Sequence, residues 1–158
     1  MSTPKKIELI VRALATCDGR VLVCRNVADG HCYLPGGHVE LGEAARQALA
    51  RELDEEAGLQ ARVGDLMLVH EHRFDQGGRA RHELNLVFHV ELRAGQDAIT
   101  SREAGIAFEW APATALAGLA FVPDDMIEPV KHLAQVADAP GGSGGLGRPT
   151  ASFLGSAV

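Results

Sequence analysis

Glu43, Glu52, Glu55 and Glu56 put four carboxylates into one short stretch that follows the glycine pair Gly36-Gly37. Ala44 to Ala57 is rich in Ala, Leu, Arg and Glu and holds no Pro or Gly, so a helix is expected there. Gly58 is placed to end it in a left-handed cap. At roughly 100° per residue, Glu52, Glu55 and Glu56 fall within about a third of the helix circumference, beside an apolar stripe of Leu49 and Leu53. Glu52 and Glu56 repel as i,i+4 like charges by about 0.2–0.5 kcal/mol on a bare helix. A cation would offset that repulsion. Clustered carboxylate oxygens suit Mg²⁺ or Mn²⁺, hard ions that also bind phosphates. A solvated acidic helix face would account for the acids. It does not account for the approach Leu34-Pro35-Gly36-Gly37 or for the position of Glu43.

Something must position that helix. Ile7 to Thr16 and Val21 to Arg25 read as strands joined by the hairpin signal Asp18-Gly19. Asn26 to His31 reads as a loop, with a short extended run through Tyr33. After the helix, Leu59 to Phe74 reads as strand, broken near Gly64-Asp65, and Gln76-Gly77-Gly78 as a turn. Arg81 to Leu92 and Ile106 to Trp110 complete the strands. Pro112 to Leu119 suits a short helix. Asp124-Asp125 can cap a last helix reaching about Val136. Strands with helices on their faces predict a mixed α/β (α+β) sandwich.

The stretch Gly37 to Leu59 resembles the signature box of the Nudix hydrolases. That box reads Gly, five residues, Glu, seven residues, Arg-Glu-apolar, one residue, Glu-Glu, one residue, Gly-apolar. Gly37, Glu43, Arg51, Glu52, Leu53, Glu55, Glu56, Gly58 and Leu59 fill every specified position. Tyr33-Leu34-Pro35-Gly36 fits the usual approach to the box, and the pattern is compatible from about residue 7 to 137. The resemblance implies a mixed β-sheet between α-helices. It also implies hydrolysis of a phosphoanhydride bond in a nucleoside diphosphate linked to another group. Carried over, Glu52, Glu55 and Glu56 would be ligands of Mg²⁺ or Mn²⁺, with the Gly36 carbonyl as a further one. Glu52 is also a candidate base for the attacking water. Glu43 would support the metal shell or orient Arg51, and Arg51 would brace the loop. Some family members draw the base from outside the box, which brings in Glu83, Glu103 and Glu109.

The substrate class stays open. ADP-ribose pyrophosphatases of the family often carry a Pro about fifteen residues beyond the box, and diadenosine polyphosphate hydrolases a Tyr slightly further on. This chain has Phe74-Asp75-Gln76-Gly77 in that window. A modified nucleoside triphosphate, a nucleotide sugar such as ADP-ribose, or a dinucleotide would each fit. Two other classes stand beside the hydrolase: a binding module that senses a nucleotide without cleaving it, and an isomerase or glycosylase on the same fold. Degenerate boxes identify binding modules, and this box is intact. A homodimer is a family expectation, without a self-complementary surface to read here.

At 158 residues and 46% hydrophobic the chain suits one domain with a real core. We expect that domain over 1–138 and a Gly/Ser/Pro-rich tail over 139–158, passive rather than dimer-forming. The glycines of Pro140 to Pro149 are not a nucleotide loop, because no strand precedes them and no clear helix follows. No apolar run reaches the ~20 residues of a membrane span, and the amino terminus lacks a signal-peptide core. A net charge of −6 disfavours nucleic acid and membrane surfaces as partners and leaves a small nucleotide-type substrate. Cys17, Cys24 and Cys32 lack metal-ligand spacing and fit a reduced, cytoplasmic setting.

His70, Glu71, His72, His82, Glu83 and His89 fall on two neighbouring strands, with His70 and His72 on one face and Glu71 on the other. They could form a second metal site. Cross-strand hydrogen bonding is preferred, since zinc-type spacing is missing. Glu83, close after the turn, is kept as a weaker site candidate. Tyr33 and Phe74 are the aromatics near the expected cleft, whereas Phe88 and Trp110 read as core. Arg73, Arg79 and Arg81 flank the turn and could hold a distal phosphate, although a solvated loop is the simpler account.

Overall fold

The computed structural model describes residues 6–93, 98–138 and the backbone of 152–155. Two sheets form. The larger has the order β5-β1-β7-β6-β9: β5 (Gly36–His38), β1 (Glu8–Leu14), β7 (Arg79–Leu92), β6 (Ala61–Gln76) and β9 (Ser152–Gly155). The smaller joins β2 (Thr16–Cys17), β3 (Arg20–Asn26) and β4 (Cys32–Tyr33), with β8 (Ile106–Pro112) on the free side of β3. Between β2 and β3, Asp18 and Gly19 both take positive φ, 50° and 73°. That is the tight hairpin turn read from the sequence, since such turns match the twist of their strands.

β6 and β7 form one long antiparallel hairpin, closed at Gly77-Gly78. Its register slips between Val63 and Leu66 and again between Leu66 and Leu68, so the break expected at Gly64-Asp65 is an irregularity inside one strand. β7 then pairs in parallel with β1, Glu83 opposite Glu8 and Val87 opposite Arg12. Within the tail, 152–155 pair in parallel with β6, so that stretch docks on its own domain. The rest of the 139–158 tail lies outside the described residues.

Helix α1 (Ala45–Ala57) covers one face of the larger sheet. Its buried Ala48, Leu49 and Leu53 pack with Val11, Ala13, Leu22, Phe88 and Val90. Burying each leucine stabilises the fold by about 1.5–3 kcal/mol. Helix α2 (Ile127–Ala137) lies over the second core, where Val130 and Ala134 meet Leu14, Val23, Leu68 and Val87. Both faces are therefore covered, as the sandwich expectation requires. Phe88 is buried and Trp110 packs on the α1 core.

One local expectation fails. Asp124 and Asp125 do not cap α2, for they form a 3-10 turn, Asp124–Met126, without a side-chain cap. The Asp125 carboxylate is taken instead by His70 Nε2 at 2.9 Å. His70 is fully buried, where a polar ring nitrogen needs a partner.

α1 ends at Gly58, whose φ of 64° is left-handed and whose N–H donates to the Asp54 carbonyl. A Cβ there would meet only the end of the Arg102 side chain, which can swing away. Gly58→Ala is thus expected to cost about 1–2 kcal/mol through backbone strain, with the bond from Arg102 to the Asp54 carbonyl disturbed besides. Chemical denaturation of both proteins measures it, and an unchanged midpoint would contradict the cap.

Candidate active site

The glycine pair sets the geometry. Gly36 takes φ 138°, and a Cβ on it would stand 2.0 Å from the Val11 carbonyl oxygen. Only glycine lets β5 lie this close to β1. A Cβ on Gly37 would stand 2.5 Å from the carboxylate carbon of Glu52. The backbone of β5 and the acidic side of α1 are therefore in contact, as the box requires.

Arg51 ties this corner together. Its Nε and Nη2 donate to the two oxygens of Glu43 at 2.8 and 3.0 Å. Nη2 also donates to the His38 carbonyl at 3.1 Å. Nη1 reaches Glu52 at 3.0 Å and Glu55 at 3.2 Å. A two-pronged guanidinium–carboxylate pair is geometrically specific. It holds the Glu43 carboxyl below the usual carboxylate range. Glu43 also accepts the Glu40 N–H at 3.2 Å, closing the loop before α1. Arg51 thus joins Glu43, the His38 carbonyl, Glu52 and Glu55 in one network.

Glu56 stands apart from this network. It is 8% exposed, and its Oε2 is buried with no hydrogen-bond partner. Burial pushes its carboxyl up to about 7, with repulsion from Glu52 and Glu103 adding and Arg12 opposing. An ionised carboxylate left this way is expensive unless a cation meets it. Glu55 is more open, its side chain 60% exposed. Glu52, Glu55, Glu56 and the Gly36 carbonyl offer oxygen donors alone, although the three carboxylates do not bring ligand atoms within 4.8 Å of one another. That set, with the orphaned Glu56 oxygen, fits Mg²⁺ or Mn²⁺.

Arg12 was not legible as a site residue. It lies on β1, and its Nη1 donates to the carbonyls of Leu34 at 3.1 Å and Gly36 at 3.5 Å. Its Nε reaches Asn85 Oδ1 at 3.4 Å, and its guanidinium lies 5.5 Å from the Tyr33 ring centroid. Glu83 and Glu56 both act on its charge. The available signal was one arginine inside an otherwise apolar strand, Leu9-Ile10-Val11-Arg12-Ala13-Leu14. The buried Asn85 was missed in the same way.

The remaining candidates separate. Glu103 belongs to a loop that closes the end of α1: Arg102 N–H donates to the Glu56 carbonyl at 2.6 Å, and Ser101 Oγ donates to the Glu103 carbonyl at 2.9 Å. Glu83 stands opposite Glu8 on one side and His72 on the other. Glu109 is held by Arg25 across β3 and β8. Tyr33 lies against Arg12, and Phe74 stacks on His72 with centroids 4.7 Å apart. Arg73 and Phe74 line a groove at the hairpin end with Lys6, Asp75 and Arg81. Arg73, Arg79 and Arg81 do not converge on one point, since Arg81 binds Glu8 at 2.7 Å and Arg79 is exposed.

Residues 8–133 match the NUDIX domain model. The chain belongs to the NUDIX family. Among curated NUDIX relatives, a CTP pyrophosphohydrolase of Escherichia coli is 41% identical over 71 residues, 42% of this chain and 52% of that protein. An 8-oxo-dGTP diphosphatase of Escherichia coli is 36% identical over 59 residues, 35% of this chain and 46% of that protein. An ADP-ribose pyrophosphatase of Methanocaldococcus jannaschii is 37% identical over 108 residues, 60% of this chain and 63% of that protein. This chain therefore spans about half the length of the first curated relatives it matches. The MutT protein of Methanosarcina mazei has the same fold, with a TM-score of 0.68 at 21% identity over 87% of this chain and 100% of that one.

Gly37→Ala is a direct test of the NUDIX corner. The added methyl would displace the Glu52 carboxylate, a flexible chain end, rather than backbone. Stability should change little, while any hydrolysis that depends on the placement of Glu52 should fall about 10–100-fold, the size of effect seen when a ligand's supporting contact is lost. Paired melting curves and rate measurements check this, and full activity in the variant would contradict the contact.

Proposed function

We propose that this chain is a divalent-metal-dependent pyrophosphohydrolase. It would cleave a phosphoanhydride bond in a nucleoside diphosphate joined to another group. The observation that carries this reading is Glu56, a buried carboxylate with an unmet oxygen, on the same helix as Glu52, which packs against Gly37. Glu52, Glu55, Glu56 and the Gly36 carbonyl would hold Mg²⁺ or Mn²⁺. Such an ion supplies charge neutralisation of the diphosphate oxygens and activation of water.

The protein's own part is positioning. Arg51, anchored on Glu43 and His38, fixes where Glu52 and Glu55 stand. Glu52 is the candidate acceptor for the proton of the attacking water, with Glu83 and Glu103 as rivals. Glu109 pairs with Arg25 as Glu52 pairs with Arg51, so it stays a rival as well. Arg12 sits beside the Gly36 carbonyl, where it would steady the donor loop and attract a phosphate oxygen. Tyr33 and Phe74 would offer flat apolar surface to a base. Arg73 lies further out, toward the hairpin end.

Nucleoside triphosphates head the substrate classes, because two of the curated relatives are named for CTP and 8-oxo-dGTP. Nucleotide sugars follow, from the relative named for ADP-ribose. Among the described residues no helix is long and apolar enough to cross a membrane. Free cysteines, two of them buried, support a reducing, cytoplasmic setting.

The test is a panel of CTP, dNTPs, oxidised dNTPs, ADP-ribose, nucleotide sugars, dinucleoside polyphosphates and NADH with Mg²⁺ or Mn²⁺. Products are separated by chromatography. Metal-dependent release of a nucleoside monophosphate is expected. Nucleotide binding without cleavage would replace the hydrolase by a sensing module, and a rearranged or base-released product by a different enzyme.

A further inference from the structure

We propose that His70, His72 and Asp125 form a second metal site, for a borderline transition-metal dication such as Zn²⁺, separate from the carboxylates of α1. One ligand atom from each of the three lies within 4.8 Å of the others. His70 and His72 are two apart on β6, so their side chains share a face. Their rings stack with centroids 5.7 Å apart and planes 27° from parallel. Asp125 arrives from the 3-10 turn before α2, far away in sequence. That is why ligand spacing was invisible in the chain.

The second, independent observation is unmet polarity. His70 is 0% exposed and turns Nε2 toward Asp125, so its unpartnered Nδ1 lies on the far side of the ring and does not serve the ion. The atom that an ion would satisfy is His72 Nδ1, which is buried and unpartnered. Buried ring nitrogens without partners are costly in a folded protein. Cross-strand hydrogen bonding, the preferred expectation for these histidines, does not satisfy them. It applies instead to His82, which bonds Glu71 at 2.8 Å on the neighbouring strand.

The donor chemistry selects the ion. Two imidazoles and one carboxylate suit Zn²⁺ and its transition-metal neighbours, whereas Mg²⁺ prefers oxygen alone. A tetrahedral zinc site has donors roughly 3.3 Å apart. His70 Nε2 and Asp125 Oδ1 stand at 2.9 Å, and the Asp125 side chain is 45% exposed and free to adjust. Small ring and carboxylate rotations would therefore assemble the site. Glu83 and Asp124, the further acids acting on His72, add negative charge around the ion. Three protein ligands leave one position open for water or a ligand, the arrangement of reactive rather than closed zinc sites.

The test is metal binding by the full chain, stripped of metal, with Co²⁺ as the spectroscopic probe and Zn²⁺ as competitor. We expect one Co²⁺ per chain with visible absorption bands of nitrogen ligation, displaced by Zn²⁺ and insensitive to excess Mg²⁺. His72→Ala and the milder Asp125→Asn should each weaken Co²⁺ binding by tenfold or more, with circular dichroism confirming the fold. Glu56→Gln should leave it intact. Binding that survives both His72→Ala and Asp125→Asn, or that vanishes in Glu56→Gln, would put the ion on α1 and overturn the proposal. So would no binding at micromolar Co²⁺. The readout needs no hydrolysis, so a wrong substrate class cannot mimic its failure.

Discussion

Glu56→Gln is expected to lower metal-dependent turnover by about a thousandfold while the chain stays folded. The substitution keeps the volume of the side chain and removes one negative charge. The buried Oε2 has no hydrogen-bonding neighbour, so no structural contact of that atom is lost. Arg51 stays bound to Glu43, Glu52 and Glu55. A large loss with an unchanged circular-dichroism spectrum would therefore report the missing charge at the metal. The fall should appear in kcat at saturating nucleotide, with a higher metal concentration needed for half-activation. A folded variant within about tenfold of the parent would remove Glu56 from the ligand set.

How legible the site was depends on how local its contacts are. The α1 carboxylates and the Glu43–Arg51 pair lie on one helix and the loop before it, with Gly37 on the short strand just ahead, so all of them are close in sequence. Arg12 depends on a parallel pairing between β1 and β7, with Asn85 brought to it from 73 residues away. No local pattern marks such a residue. Asp125 shows the converse error. Its position before α2 suggested a cap, because the nearest unmet donors in sequence are helix N–H groups. The folded chain offers a buried histidine 55 residues away, and that partner prevails. The hairpin turns, α1 and α2 were readable because propensity and turn chemistry act over a few residues. The strand at 152–155 was not, since a short Ser-Phe-Leu-Gly stretch pairs only when an edge of β6 is presented to it.

The second large effect is on stability without metal. The Glu56 carboxyl is raised from 4.5 to about 7 in the folded chain, with burial as the main cause. A raised carboxylate pKa means that the folded state favours the protonated form. Its contribution is fully present below about pH 4.5 and is lost as pH rises through 7. Linkage makes the total about 3 kcal/mol, at about 1.4 kcal/mol per pH step between those limits. Other groups titrate over the same range, so the comparison that isolates Glu56 is with Glu56→Gln. In chelator the variant should match the parent near pH 4 and be more stable by about 3 kcal/mol near pH 8.5. Urea denaturation at several pH values measures the difference. Mg²⁺ should then close the gap from the parent's side, because a cation that binds only the folded chain stabilises it. A gap that does not vary with pH would mean that Glu56 is not a strained buried carboxylate. The observation that carries the metal site would then be lost, even if turnover in Glu56→Gln were abolished.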